Sequence, residues 1–434
     1  MWFRSALVAA ALPLLSLAAP VSKDDSSSSS DAPPRIDYDA IIVGGGPSGL
    51  AALSGLARVR RNVLLVDSGE YRNAATRHMH DVPGNDVPFA PPITDTPSRL
   101  PGWQPAYYRW VARKSIGNYG TVTMTNGTIT EIQPERNNTY FTVTGNYTGG
   151  HEITYTARKV ILGTGITDLI PGTPGLKENF GKGIYWCPWC DGHEHADQAL
   201  GIVGPVSAVP GTLREVATLN TDVVAFTNGT AANQTMLDAT EKSFPQWRDY
   251  LKAKNVPIED RVMTRIERLR DGADPSADPS LPTYPEHDLF RVHFDSGEPV
   301  LRNAFIINVP TDQASTLPVS IGAKLDGAKI AVNGSQGYVT SVPGVYAIGD
   351  ANNAGATNIP FSLFSGKRTA VYLHVQLERE DVAKLLANLN GTSSSGGALE
   401  RRLSSRSVHE EARAVWDEMN GKPGDVLYAG EFDQ

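Results

Sequence analysis

The chain has 434 residues, 39 of them basic and 47 acidic, for a formal net charge of −8. That length allows two domains plus appendages, and the apolar content is that of a globular chain, not a fibrous or wholly disordered one. No cluster of Lys or Arg builds a positive face, which excludes nucleic acid as a partner.

Met1-Trp2-Phe3-Arg4 leads into an apolar run from Ala6 to Ala19 that contains Ser16-Leu17-Ala18. One positive charge, a run of roughly 15 residues and small residues at its end predict a signal peptide over 1–18, cleaved after Ala18. The run is short of the about 20 apolar residues of a membrane span, so no span is expected. Sequons at Asn126, Asn137, Asn146, Asn228, Asn233, Asn333 and Asn390 point to the secretory pathway or the exterior, with some of them glycosylated. Residues 19–36, with Ser26 to Ser30, read as a polar linker.

Asp39 to Val43 reads as a buried strand, Gly49 to Arg58 as a helix and Asn62 to Asp67 as a second parallel strand, which makes a βαβ unit. Residues 83–105 are proline-dense and read as a long loop or lid, and Tyr107 to Gly117 as a helix. Val122 to Thr125, Phe141 to Thr144 and Glu152 to Thr156 alternate like an antiparallel meander, and Lys159 to Leu162 reads as a separate buried strand. A second βαβ pattern starts at Leu200 to Gly204 and reaches Asp222 to Thr227; a helix at Trp247 to Lys254 and a strand near Val262 continue it. Asp271 to Pro285 reads as an exposed loop, Phe290 to Val309 as paired strands, Val345 to Ile348 as a buried strand and Ser365 to Leu386 as a long helix. A spacer from Thr392 to Gly397 and a charged helix from Ala398 to Asn420 close the chain.

Gly44-Gly45-Gly46-Pro47-Ser48-Gly49 follows a strand and opens a helix. Gly44 suits the tight turn, Gly46 the close approach of a pyrophosphate and Gly49 helix–strand packing, with the helix N-terminus favouring phosphate. Asp67 ends the next strand, where a carboxylate accepts from ribose hydroxyls.

The chain contains two cysteines, in Trp186-Cys187-Pro188-Trp189-Cys190-Asp191-Gly192. A bridge across so small a loop removes little chain entropy, so the pair is better explained by redox chemistry than by structure. A zinc site needs more ligands than His193 and His195 provide, and no metal is expected. Attack of a thiolate on the pair passes through a mixed disulfide, and Asp191 is the adjacent group able to move the proton. His193 and His195 are further candidates for the base. Trp186 and Trp189 read either as walls excluding water or as core.

Val160 to Gly165 and Gly344 to Asp350 resemble the two remaining signatures of flavoproteins that bind two dinucleotides, which implies FAD. With Cys187-Pro188-Trp189-Cys190-Asp191-Gly192 just ahead of the second βαβ unit, residues 38–386 resemble the low-molecular-weight thioredoxin reductases, class II pyridine nucleotide-disulfide oxidoreductases. The resemblance implies a two-domain α/β fold: an FAD-binding Rossmann-type domain (37–176 and 299–388) with an inserted NADPH-type Rossmann domain (177–298) carrying the cysteines, then a linker and tail at 389–434. It further implies Gly44, Gly46, Pro47, Ser48, Gly49, Asp67, Ser68, Thr164, Gly165, Gly349, Asp350 and Ile359 as FAD-binding residues, and a homodimer. Cys190 would face the flavin, Cys187 the substrate, and Asp191 would be the acid/base.

The second nucleotide turn departs from that family. Val206 stands where the phosphate would approach, and Thr227-Asn228-Gly229-Thr230 offers no cation for a 2′-phosphate, so NADPH binding is doubtful. The departure brings the resemblance closest to fungal gliotoxin-type dithiol oxidases. These imply oxidation of a small-molecule, secondary-metabolite dithiol, with a protein dithiol as the other substrate class, and electrons passing through FAD to O2 to give H2O2. Many of that group carry His where Asp191 stands, which leaves the base open. The alternatives are an NADPH-dependent thioredoxin-disulfide reductase and a flavin-loaded binding or scaffold protein with a vestigial site.

Overall fold

The computed structural model describes residues 35–82, 105–273 and 285–391. The expected signal peptide, the stretch from Pro83, most of the polar linker and of the 271–285 loop, and the tail helix lie outside the described residues.

The first sheet grows from β1 (Tyr38–Val43), α1 (Pro47–Arg58) and β2 (Val63–Asp67). Pro47 opens α1, where its missing N–H costs nothing. After α2 (Pro105–Ile116) come β3 (Val122–Glu135), β4 (Tyr140–Tyr147) and β5 (His151–Leu162). In the parallel part β3, β2, β1, β5 and the Val345–Ala347 strand lie side by side. Both faces are covered, which is why Ala40 to Val43 of β1 is an unbroken apolar run. Ala40 and Ile42 pack toward α1 and the helix Ile359–Gly391, and Ile41 and Val43 toward Phe141, Val143 and Leu317.

The meander is larger than expected. β3 pairs with β2 in parallel up to Asn126 and with β4 antiparallel from Gly127, and β5 pairs first with β4 and then with β1. Lys159 to Leu162 is therefore the end of β5 and not a separate strand.

The second sheet is parallel, in the order Ile258–Glu259, Val223–Phe226, Leu200–Val203, Ala304–Ile307 and Ile184–Tyr185. An antiparallel ribbon of Met263–Arg270, Leu289–Phe294 and Val300–Arg302 packs on it. Because Ala304–Ile307 sits inside this sheet, the chain leaves it after Ile307, later than the expected boundary at 299. The two passages between the sheets pair with each other, Ile166–Asp168 against Thr311–Gln313. No described helix is long and apolar enough to cross a membrane.

α1 and Ile359–Gly391 cross at small residues. A Cβ on Gly366 would stand 2.2 Å from the Ser48 carbonyl oxygen, and one on Gly55 2.6 Å from Ala370 Cβ. Gly366→Val should cost about 1–3 kcal/mol and loosen retention of the FAD that the sequence resemblance implies, since Ser48 borders the cavity described next. Thermal denaturation and the flavin-to-protein absorbance ratio read both effects; an unchanged Tm would refute the crossing.

Candidate active site

A cavity of about 490 Å³ runs from the turn after β1 to the cysteine pair, within the range of small-molecule sites. Gly44, Gly46, Pro47, Ser48, Ser68, Thr164, Gly165, Asp350 and Ile359 line one part, and Trp186, Cys190, Asp191, His78 and His80 another. Gly44 holds φ +107°, and a Cβ there would strike the Gly163 carbonyl oxygen at 2.3 Å, so the turn requires glycine. A Cβ on Gly46 or Gly165 would meet nothing within 4 Å, which leaves the cavity side of both backbones open. Gly49 and Gly349 do not border the cavity but permit its shape: a Cβ on Gly49 would lie 2.0 Å from the Gly44 oxygen, and one on Gly349 2.7 Å from Ser48 Oγ. The Thr164 hydroxyl is buried without a hydrogen bond. An open glycine cradle at a strand end, with an orphaned hydroxyl beside it, fits a dinucleotide such as FAD.

Asp67 differs from expectation. Its carboxylate accepts from Tyr71 Oη at 2.5 Å, from the Gly69 N–H and from Arg113, and it does not border the cavity. Arg72 was not foreseen. It is forked onto Asp168 at 2.7 and 2.8 Å, reaches Asp350 at 2.9 Å and lies 4.8 Å over the Trp186 ring. Burial pushes the Asp350 carboxyl up, against the pull of Arg72.

Cys187 and Cys190 form a disulfide across the short helix Pro188–Asp191, and of the two only Cys190 borders the cavity. Trp186 lines the wall, stacked on Phe180 at 4.9 Å, whereas Trp189 is 68 % exposed and walls nothing. Asp191 Oδ2 is buried with no hydrogen-bond partner. Burial, followed by the Glu194 and Glu286 charges, pushes its carboxyl up to about 8, so at neutral pH it holds a proton that it can give.

The histidines expected as bases are elsewhere. His193 is exposed, and His195 is buried, stacked on Tyr185 and hydrogen-bonded through Nδ1 to the Glu286 carbonyl; neither borders the cavity. Nearness in sequence misled, because the chain turns away after Gly192. His78 and His80 stand in the wall instead, on either side of the buried Met79. The segment Arg77-His78-Met79-His80 was visible as a titratable cluster, but no local pattern joins it to the cysteines.

At the second nucleotide turn most of the amides are already used or missing. Val206 is fully buried and its N–H donates to Thr230 Oγ1 at 3.0 Å; Ala208 and Val209 donate to Pro205 and Val206; Pro205 and Pro210 have no N–H. Beyond the Val223–Phe226 strand, the Asp260 carboxylate accepts from Thr227 Oγ1 and Ala231 N–H, placing an acid where a 2′-phosphate needs a cation.

The family model described as pyridine nucleotide-disulphide oxidoreductase matches residues 38–367. The chain is 47% identical over 353 residues to a protein of Arthroderma benhamiae named "Probable thioredoxin reductase", covering 80% of this chain and 82% of that one. It is 29% identical to "Thioredoxin reductase tcpT" of Claviceps purpurea, over 82% and 97% of the two chains. The crystal structure of HlmI superposes with a TM-score of 0.63 at 26% identity, covering 82% of this chain and 98% of that one.

A proton held more tightly by Asp191 in the folded than in the unfolded chain stabilises the fold at low pH, and that stability is lost as pH rises from the ordinary value of 3.8 toward about 8. Asp191→Asn cannot ionise. Its Tm relative to the wild type should therefore climb between about pH 5 and 8.5; a difference that stays flat would show that Asp191 titrates normally.

Proposed function

The chain belongs to the pyridine nucleotide-disulphide oxidoreductase family, and from that premise we propose that this FAD-dependent thiol oxidoreductase oxidises a small-molecule dithiol to a disulfide and passes the electrons to O2. The observation that carries the reading is the second nucleotide turn, where Pro205 to Pro210 has no row of available amides and Asp260 stands after the strand. Without a pyrophosphate cradle NADPH is poorly held, so reducing equivalents enter from the thiol side. The expected secretory location favours the same direction, because such compartments support disulfide formation.

A substrate thiolate attacks Cys187, and the second substrate thiol resolves the mixed disulfide, leaving both cysteines reduced. Cys190, in the cavity wall, is the electron exit. Asp191 supplies or takes the proton of the departing sulfur. Trp186 and Phe180, stacked on one another, give the cavity an apolar wall. FAD, when bound, supplies the two-electron acceptor for the reduced pair and the route to O2, which leaves as H2O2. The thioredoxin reductase named for tcpT reads the other way, toward reduction, and the discriminating quantity is the source of the electrons.

Anaerobic titration of the purified holoprotein separates the two. Dithiothreitol should bleach the flavin band stoichiometrically while NADPH leaves it intact, and admitting air should restore the band with release of H2O2. Rapid bleaching by NADPH would overturn the proposal.

A further inference from the structure

The wall beside Cys190 and Asp191 contains two imidazoles from the loop after β2, each held by a carboxylate distant in the chain. His80 Nε2 lies 3.2 Å from Glu194 Oε1, and His78 Nε2 lies 2.7 Å from Glu286 Oε1; both carboxylates are buried. The two pairs are not equivalent. Glu286 is shared with Arg77 and His195, so its charge is already compensated, whereas Glu194 pairs with His80. Glu194 closely follows Asp191 in the chain, and the Oδ2 of Asp191 has no partner.

The exchange creates a need for such an arrangement. When a dithiol reduces the pair, one S–S bond forms in the substrate and one breaks in the protein, and both protons end on Cys187 and Cys190. Re-forming the Cys187–Cys190 bond sends two electrons and one proton to FAD and leaves one proton to be removed. A carboxyl that already holds a proton at neutral pH can take this one only after passing its own on.

We propose that the His80–Glu194 pair is the proton outlet of Asp191: His80 takes the proton from the carboxyl, and Glu194 orients the ring and stabilises its charged form. His80 is thus a positioning and relay residue acting through Asp191, not a group that touches the substrate sulfur. The titratable and charged groups around Asp191 are Glu194, Glu286, His80 and Arg77, with Tyr185 packed close by. Of these, His80 combines a place in the cavity wall with an imidazole, a side chain able to accept and release a proton, and with a buried carboxylate partner. The inference rests on dithiol exchange at the cysteine pair, whichever acceptor follows.

The test is anaerobic stopped-flow reduction of the flavin by dithiothreitol across about pH 6 to 9, in the wild type and in His80→Gln, Glu194→Gln and His193→Gln. His80→Gln keeps a hydrogen-bonding side chain but not the titration. It should slow reduction about tenfold or more, displace the pH profile, leave the dithiol concentration at half-maximal rate unchanged and recover part of the rate with added imidazole. Glu194→Gln should move the profile in the same sense, and His193→Gln, at an exposed ring that does not border the cavity, should stay within about threefold of the wild type. Wild-type rate and profile in His80→Gln would overturn the relay; should that variant lose its flavin, the same result in Glu194→Gln would overturn it. Failure of the wild-type flavin to bleach at all would sink the functional reading together with this one, whereas a bleaching wild type with unaffected variants sinks the relay alone.

Discussion

The Arg77 guanidinium donates to Asp288 at 2.8 and 3.1 Å and to Asp271 at 2.5 Å, and it also grips Glu286. Asp288 is fully buried and is shared with Arg268 and the Gly272 N–H. Burial works against the charge on Arg77, but the carboxylates outweigh it and hold its pKa above the ordinary value. Removing one partner would leave buried carboxylates uncompensated, a loss of about 3–5 kcal/mol. His195, Glu286 and Asp288 approach one another closely enough to suggest a metal site, but Arg77 supplies the positive charge there. Since His78 and His80 follow Arg77 directly, this cluster fixes the two imidazoles against the unit that carries Asp191 and Glu194.

Features encoded by neighbours in the chain were legible in the sequence. The glycine turn after β1 could be read because each glycine answers a local demand: a positive φ at Gly44, an open face at Gly46, close packing at Gly49. The cysteine pair was legible because two cysteines so close together have little structural value. The parallel core of the first sheet followed from apolar runs buried on both faces.

Features made by distant parts of the chain were not. Arg77 and Asp288 are 211 positions apart, and Arg72 reaches Asp350 across 278; no periodicity reports such pairs. β3 changes partner at Gly127 and carries a register shift between Ile129 and Glu131, which breaks its alternation into shorter pieces. The Ala304–Ile307 strand reads like any buried strand, and only its pairing with Leu200–Val203 assigns it to the second sheet. His193 and His195 were attractive by adjacency alone, yet one faces solvent and the other is packed on Tyr185.

The cysteine pair thus has two sides: Cys190 in the cavity wall beside Trp186 and Asp191, and Cys187 away from it. Electron entry at Cys187 and exit through Cys190 is tested most directly by the visible spectra of the two single-serine variants of the holoprotein. A thiolate in contact with flavin gives a long-wavelength charge-transfer absorption. Cys187→Ser, which leaves Cys190 alone, should show that band and lose it on acidification, while Cys190→Ser should lack it. The band appearing in Cys190→Ser and not in Cys187→Ser would reverse the assignment and contradict the direction of electron flow drawn from the structure.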